Sequence, residues 1–356
     1  MSDNYHPVTW LVWTLAAAIV AVMTTNPLYV TLLALAAGVN YVAVGQRSPL
    51  AQSWGAFLKL GMLIWAVTIP LNALMVHTGR YVLITLPASW PLIGGRITLE
   101  GVAYGLVKGL DLIVILIVFA AFNSAVDQAR LLRRMPAFLY LVSMVASIAL
   151  AFVPQMFSVS KEIREAQRLR GHRFRGIRDL LPLLLPLLTT GMERAIQLAE
   201  SMEARGFGGN VAPASPRREL LYKLLTLLGL LGLLFGVFAI SYWKGRGWMG
   251  PALTGLAAAL LVLVFWLQSR RVTRTRYRRD LWTRRDHIII AASLIALAGI
   301  LTARLLDRTA LFYYPYPPYP IWPAFDPLVG AAYLLFVAPA LLLPLQKPAR
   351  PTEASL

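Results

Sequence analysis

The side chains best placed to do chemistry in this chain are two arginines, Arg170 and Arg205, each followed directly by glycine and 35 positions apart. The first closes the run Glu165-Ala166-Gln167-Arg168-Leu169-Arg170-Gly171, and the second closes Glu203-Ala204-Arg205-Gly206-Phe207. A guanidinium at a helix end can grip a carboxylate or carbonyl of another molecule through its planar fork. That is recognition chemistry, not bond-making. No catalytic residue, cofactor or metal site is expected. The four histidines (His6, His77, His172 and His287) are scattered, and the chain has no cysteine, which excludes disulfides and thiolate metal ligands.

Each arginine needs a helix to aim it. Thr190 with Glu193 three residues later reads as a capping box opening the second helix. Met192, Ala195, Ile196, Ala199 and Met202 then recur on one apolar stripe, with Glu193, Arg194, Gln197, Glu200 and Glu203 turned away. Gly206 can take positive φ and end the helix. Arg205 therefore falls on the last turn, where free carbonyls and the dipole favour a cation. The first signature repeats the plan, with Ile163 and Ala166 inward, Glu165 able to pair with Arg168, and Gly171 as the stop behind Arg170. An ordinary capped helix whose arginine reaches for water gives one such pattern by itself. Two in one segment weaken that reading.

The segment sits between blocks of membrane-spanning hydrophobicity. The chain is 58% hydrophobic and 14% charged, against about 25% charged in soluble domains. Its apolar runs match helices crossing a bilayer core of about 30 Å, and the short alternating segments of a β-barrel are missing. The fold class is therefore an all-α integral membrane protein. Candidate spans are 8–24, 28–44, 60–77, 101–123, 219–242, 251–268, 286–305 and 326–345, eight in all. The first lacks a basic flank and a convincing cleavage site, so it reads as a retained helix, not a signal peptide. Net charge is +18, most of it explained by basic cytoplasmic loops. The rest suits anionic lipid or an acidic protein surface; nucleic acid is not an expected partner.

Positive-inside counting puts the arginine-rich loop 270–285, both termini and 45–59 in the cytoplasm, with 78–100 and the aromatic loop 306–325 outside. Residues 137–157 are apolar enough to span, yet basic clusters lie on both sides, at Arg130, Arg133 and Arg134 and at Lys161, Arg164, Arg168 and Arg170. A helix lying along or dipping into the membrane satisfies both clusters. The run 180–188 is too short to span and holds Pro182 and Pro186. The chain thus divides into N-terminal spans (1–124), a cytoplasmic-side layer of three helices (125–209), C-terminal spans (210–345) and a cytoplasmic tail (346–356).

Three stretches carry a family resemblance: Leu132-Arg133-Arg134-Met135-Pro136; Phe152-Val153-Pro154-Gln155-Met156 with Ala166 to Gly171; and Ala195 with Leu198 to Gly208. Together they resemble the transmembrane coupling (T) component of energy-coupling factor (ECF) transporters, the CbiQ-like family, strongly over roughly 80 residues and more loosely over 6–124 and 219–242. The resemblance implies a scaffold, itself not an enzyme, that holds a membrane-embedded substrate-binding S component against two cytoplasmic ABC ATPases for vitamin or metal-ion uptake. It implies that Arg170 and Arg205 face the ATPases, with Gly171, Ala204 and Gly206 shaping the helix ends. Leu169 stands where the family has alanine, and the spans beyond about residue 245 exceed the family outline.

No Gly-rich phosphate loop ending in Lys-Ser or Lys-Thr occurs, so ATP hydrolysis belongs to another chain. Asp111 lies inside an apolar span, where a carboxylate is a functional candidate by default; pairing with Lys108 one turn earlier is the favoured alternative. A membrane-embedded transferase or hydrolase would need converging carboxylates or histidines, and a channel or secondary transporter would need polar spans or internal repeats. The sequence offers neither.

Overall fold

A computed structural model describes residues 5–45, 54–87, 95–132, 134–135, 139–171, 181–207, 216–242, 248–269, 282–307, 309 and 311–343. Twelve α-helices and one short β-hairpin make up the described residues, an all-α membrane protein as the composition dictates. The basic stretch 270–281, the tail 344–356, His172 and the motif residues Arg133, Pro136 and Gly208 lie outside the described residues.

Two compact bodies form. The first joins residues 1–131 with 278–356, and the second is 132–277. The stretch 210–345 is thus shared between them.

The first body contains α1 (Pro7–Met23), α2 (Pro27–Gly45), α3 (Trp54–Met75), the hairpin β1 (Val82–Thr85) with β2 (Arg96–Thr98), and α4 (Leu99–Ala125). After α5 (Gln128–Leu132) at its edge, it resumes with α10 (Arg284–Leu306), α11 (Pro327–Leu334), a 3-10 turn (Leu335–Val337) and α12 (Ala338–Leu341). One apolar core links Trp13 and Val20 of α1, Tyr29 and Leu33 of α2, Val114 and Val118 of α4, Ile289 and Ile300 of α10, and Tyr333 with Phe336.

Several polar groups inside this body find partners distant in the chain. Asp286, 1% exposed, caps α10 and also receives the start of α1. Its Oδ1 accepts from the His6 backbone N–H at 2.8 Å and the Thr9 hydroxyl at 2.9 Å. Its Oδ2 accepts from the Thr283 N–H at 2.9 Å and hydroxyl at 2.6 Å. At the other end of α1, Thr24 hydrogen-bonds Tyr333, and the Tyr29 hydroxyl accepts from the Asp326 N–H at 2.7 Å. The loop after α10 packs its own tyrosines. Burial, with Tyr314, Tyr104 and Glu100 nearby, pushes the Tyr316 phenol up to about 12.

The run expected to span at 326–345 is broken into three pieces over Pro327–Leu341. Fifteen residues reach about 22 Å as a helix, short of the hydrocarbon thickness. Pro339 has no N–H to give the Leu335 carbonyl. The Phe336 carbonyl is taken instead by Trp13 Nε1 at 3.0 Å and Asn40 Nδ2 at 2.8 Å. Six described helices are long and apolar enough to cross a membrane, and three more apolar helices, including those at 7–23 and 59–75, are shorter. The six include Tyr140–Leu169, by length and composition alone, where the flanking charges predict a helix that does not cross.

The second body contains α6 (Tyr140–Leu169), α7 (Leu181–Ala204), α8 (Pro216–Tyr242) and α9 (Met249–Ser269). Helix α6 packs against α7, and α8 against α9.

Candidate functional site

The two arginine–glycine ends terminate α6 and α7. In α6 the last helical residue is Leu169 and Arg170 is the cap, its N–H still bonded to the Ala166 carbonyl at 3.2 Å. Gly171 takes φ +83° and donates to the Arg168 carbonyl at 2.9 Å. In α7 the helix ends at Ala204, and Gly206 takes φ +74°. The Gly206 N–H then bonds the Glu203 carbonyl at 2.8 Å, and the Phe207 N–H reaches back to Met202 at 2.9 Å. Those two bonds form a Schellman motif, which satisfies carbonyls that would otherwise hang free at the helix end.

Arg170, Gly171, Ala204, Arg205 and Gly206 are all exposed. Leu169 is 90% exposed, so the bulky residue at the alanine position projects from the end and does not pack into this chain. A methyl group at either glycine would meet no atom within 4 Å. The glycines are needed for backbone conformation, not for room. Gly171→Ala and Gly206→Ala should each cost about 1 kcal/mol through positive φ. Hydrogen–deuterium exchange of the Gly206 and Phe207 amides should speed up roughly fivefold in Gly206→Ala; unchanged protection would show that the cap is not held by the glycine.

Several expectations shift here. Helix α7 opens at Leu181, so Thr190 stands inside it, not at its start. The Thr190–Glu193 spacing mimics a capping box, but the leucines upstream continue the helix. Pro182 falls in the first turn, where its missing N–H costs little. Pro186 is accommodated inside the helix, and Thr189 donates to the Leu185 carbonyl beside it at 3.0 Å. The stripe read as inward is largely open: Met192 is 66% and Ile196 56% exposed. Among the described residues, nothing covers Met192 and Ile196. Helix α6 likewise passes through Pro154 without ending. The motif residue Met156 lies against α7, with its sulfur 3.7 Å from where a Cβ on Gly191 would stand. Lys108 and Asp111 do pair, at 3.1 Å.

The fold and these helix ends define a class: a multi-pass helical membrane protein that presents two rigid, arginine-bearing helix termini. Residues 3–217 match the profile of the CbiQ family, described as cobalt transport protein, and the chain belongs to that family. Residues beyond 217 lie outside the match. Similar curated proteins bear the name energy-coupling factor transporter transmembrane protein EcfT. One from Staphylococcus aureus is 33% identical over 165 residues, 41% of this chain and 59% of its own length. One from Bacillus selenitireducens is 30% identical over 200 residues, 52% and 72%. One from Lactobacillus helveticus is 39% identical over 75 residues, 19% and 27%. The chain thus spans about half the length of several curated relatives that it matches.

Proposed function

We propose that this chain is the transmembrane coupling subunit of an ECF-type importer, non-catalytic itself. It passes motion from two cytoplasmic ABC ATPases to a membrane-embedded S component that selects a vitamin or a metal ion. One observation carries the reading: α6 and α7 end in the same construction, an exposed arginine just ahead of a positive-φ glycine. A rigid helix end with a forked cation suits insertion into an acidic groove, where a disordered loop would lose the push in its own flexibility. In this reading Arg170 and Arg205 contact the ATPases, and Gly171, Ala204 and Gly206 set the shape of the ends. The functional division remains N-terminal spans, coupling layer at 125–209 and C-terminal spans. Tagged chain purified from membranes should bring two ATP-binding chains and a further multi-pass chain. Purification with neither would sink the proposal.

The same reading places the coupling layer and the loop 270–285 in the cytoplasm, because both are arginine-rich. Cysteines introduced at Gly209 and Thr275 should both resist impermeant thiol reagents in intact cells and react after permeabilisation. Labelling of one but not the other in intact cells would break the assignment.

A further inference from the structure

The Lys108–Asp111 pair has a geometry that its own chain leaves incomplete. Lys108 lies on the stripe of α4 that also carries Tyr104, Leu112, Ile115 and Phe119, which are one to three turns apart on one face. Leu112 is 50% and Phe119 48% exposed on this stripe, with Leu116 beside it at 38%. The ammonium is therefore set between the Tyr104 end of this stripe, which meets Tyr314 and Tyr316, and its open apolar part. It sits about 13 Å along a helix about 40 Å long, which places it inside a hydrocarbon core of about 30 Å if the helix is centred.

A lysine at such a depth ordinarily extends toward the nearer interface. Lys108 is instead tied within its own helix. Its Nζ bonds Asp111 Oδ2 at 3.1 Å, three residues toward the middle of α4, and lies 5.5 Å from the centroid of the Tyr104 ring. The Lys108 side chain is 34% exposed and that of Asp111 13%. Lys108 has three N–H donors, and Asp111 Oδ2 is the one oxygen that takes one among the described residues. Asp111 Oδ1 is buried and has no hydrogen-bond partner among them. The carboxylate thus holds the ammonium in place and neutralises it, while the ammonium's other N–H donors meet no oxygen among the described residues. Lipid tails offer nothing to accept them.

We propose that Lys108 is a docking point inside the membrane for a neutral oxygen acceptor, a hydroxyl or an amide, on a transmembrane helix of a second chain. Asp111 is the positioning residue. Because Lys108 and Asp111 already cancel in charge, a neutral acceptor fits better than a second carboxylate. Leu112, Leu116 and Phe119 supply the apolar surface on which the partner helix lies. This inference rests on the reading of the chain as a subunit with a membrane-embedded partner, and it names one contact of that partner.

The test uses the tagged full-length chain purified from membranes, with co-purified chains identified by mass spectrometry and quantified against it. Lys108→Met keeps length and removes the donors. It should lower the multi-pass partner about tenfold while the ATP-binding chains stay at wild-type ratio, and Lys108→Arg should restore most of the partner. In a second measurement, with Lys108 intact, a photoreactive phenylalanine analogue at Leu112 should cross-link to that same partner. A normal partner ratio in Lys108→Met would overturn the contact, as would cross-linking at Leu112 to phospholipid alone. If the wild-type chain retained ATP-binding chains but no multi-pass partner, the subunit reading would fall together with the contact.

Discussion

Reversing both helix-end charges, Arg170→Glu with Arg205→Glu, should abolish co-purification of the ATPases and all uptake, while the chain still inserts and folds. Both arginines are exposed, so neither supports this chain's own core. Their removal therefore leaves the fold alone. In the proposed importer each guanidinium would leave water and would need a carboxylate or carbonyl in return. Losing one such partner would cost roughly 2–5 kcal/mol, and reversal would add repulsion if the proposed groove is acidic. Arg170→Glu or Arg205→Glu alone should be milder, since the other end still holds. Arg278→Ala with Arg279→Ala, outside the coupling layer, should leave assembly intact. Full uptake by the double reversal would refute the assignment of the two ends.

The largest stability effect should come from Asp286, far from those ends in sequence. Its carboxylate receives four hydrogen bonds, from the His6 N–H, the Thr9 hydroxyl, and the Thr283 N–H and hydroxyl, and it is almost wholly buried. Asp286→Ala strands the buried His6 and Thr9 donors and leaves the two donors of the exposed Thr283 to water. Each buried donor left unmet costs about 1–3 kcal/mol, although water entering the gap recovers part of it, so about 3–4 kcal/mol in total is expected. Thermal unfolding in detergent should show a large drop for Asp286→Ala. Asp286→Asn should fall between, because an amide keeps one acceptor oxygen but turns N–H groups toward donors. Thr9→Val should cost about 1 kcal/mol. A wild-type transition in Asp286→Ala would mean that the joint between α1 and α10 is not what holds residues 278–356 to the N-terminal helices.

How far the sequence could be read follows from which features are local. The helix stops at Gly171 and Gly206 were legible because positive φ belongs to glycine, and the structure puts both there. The Lys108–Asp111 pair was legible because three residues along a helix bring side chains together. The start of α7 was misread for the complementary reason. Thr190 and Glu193 have cap spacing, but a cap pattern inside a helix looks the same, and the helix that begins at Leu181 runs on through Pro186. The interrupted helix at 327–341 was illegible, since it depends on Trp13 and Asn40, roughly three hundred residues away, donating to one carbonyl. Asp286 is the instructive miss. Thr283 followed by Asp286 is a visible capping signal. Its second role, receiving His6 and Thr9, needs the fold. On the apolar stripe of α7 the packing of α6 and α7 leaves Met192 and Ile196 open, because hydrophobic period alone does not say whether the cover is the same chain, lipid or a partner.

The central claim, that the ends of α6 and α7 are the points where force from ATP hydrolysis enters, is tested most directly by cross-linking. Leu169 and Phe207 flank the two arginines and are 90% and 46% exposed, so photoreactive analogues there should leave the helix ends intact. In purified complex, illumination should join each position to an ATP-binding chain, and both cross-links should vanish with Arg170→Glu and Arg205→Glu. Efficient labelling of lipid at both positions, with no ATP-binding chain captured from a complex that contains it, would contradict the account.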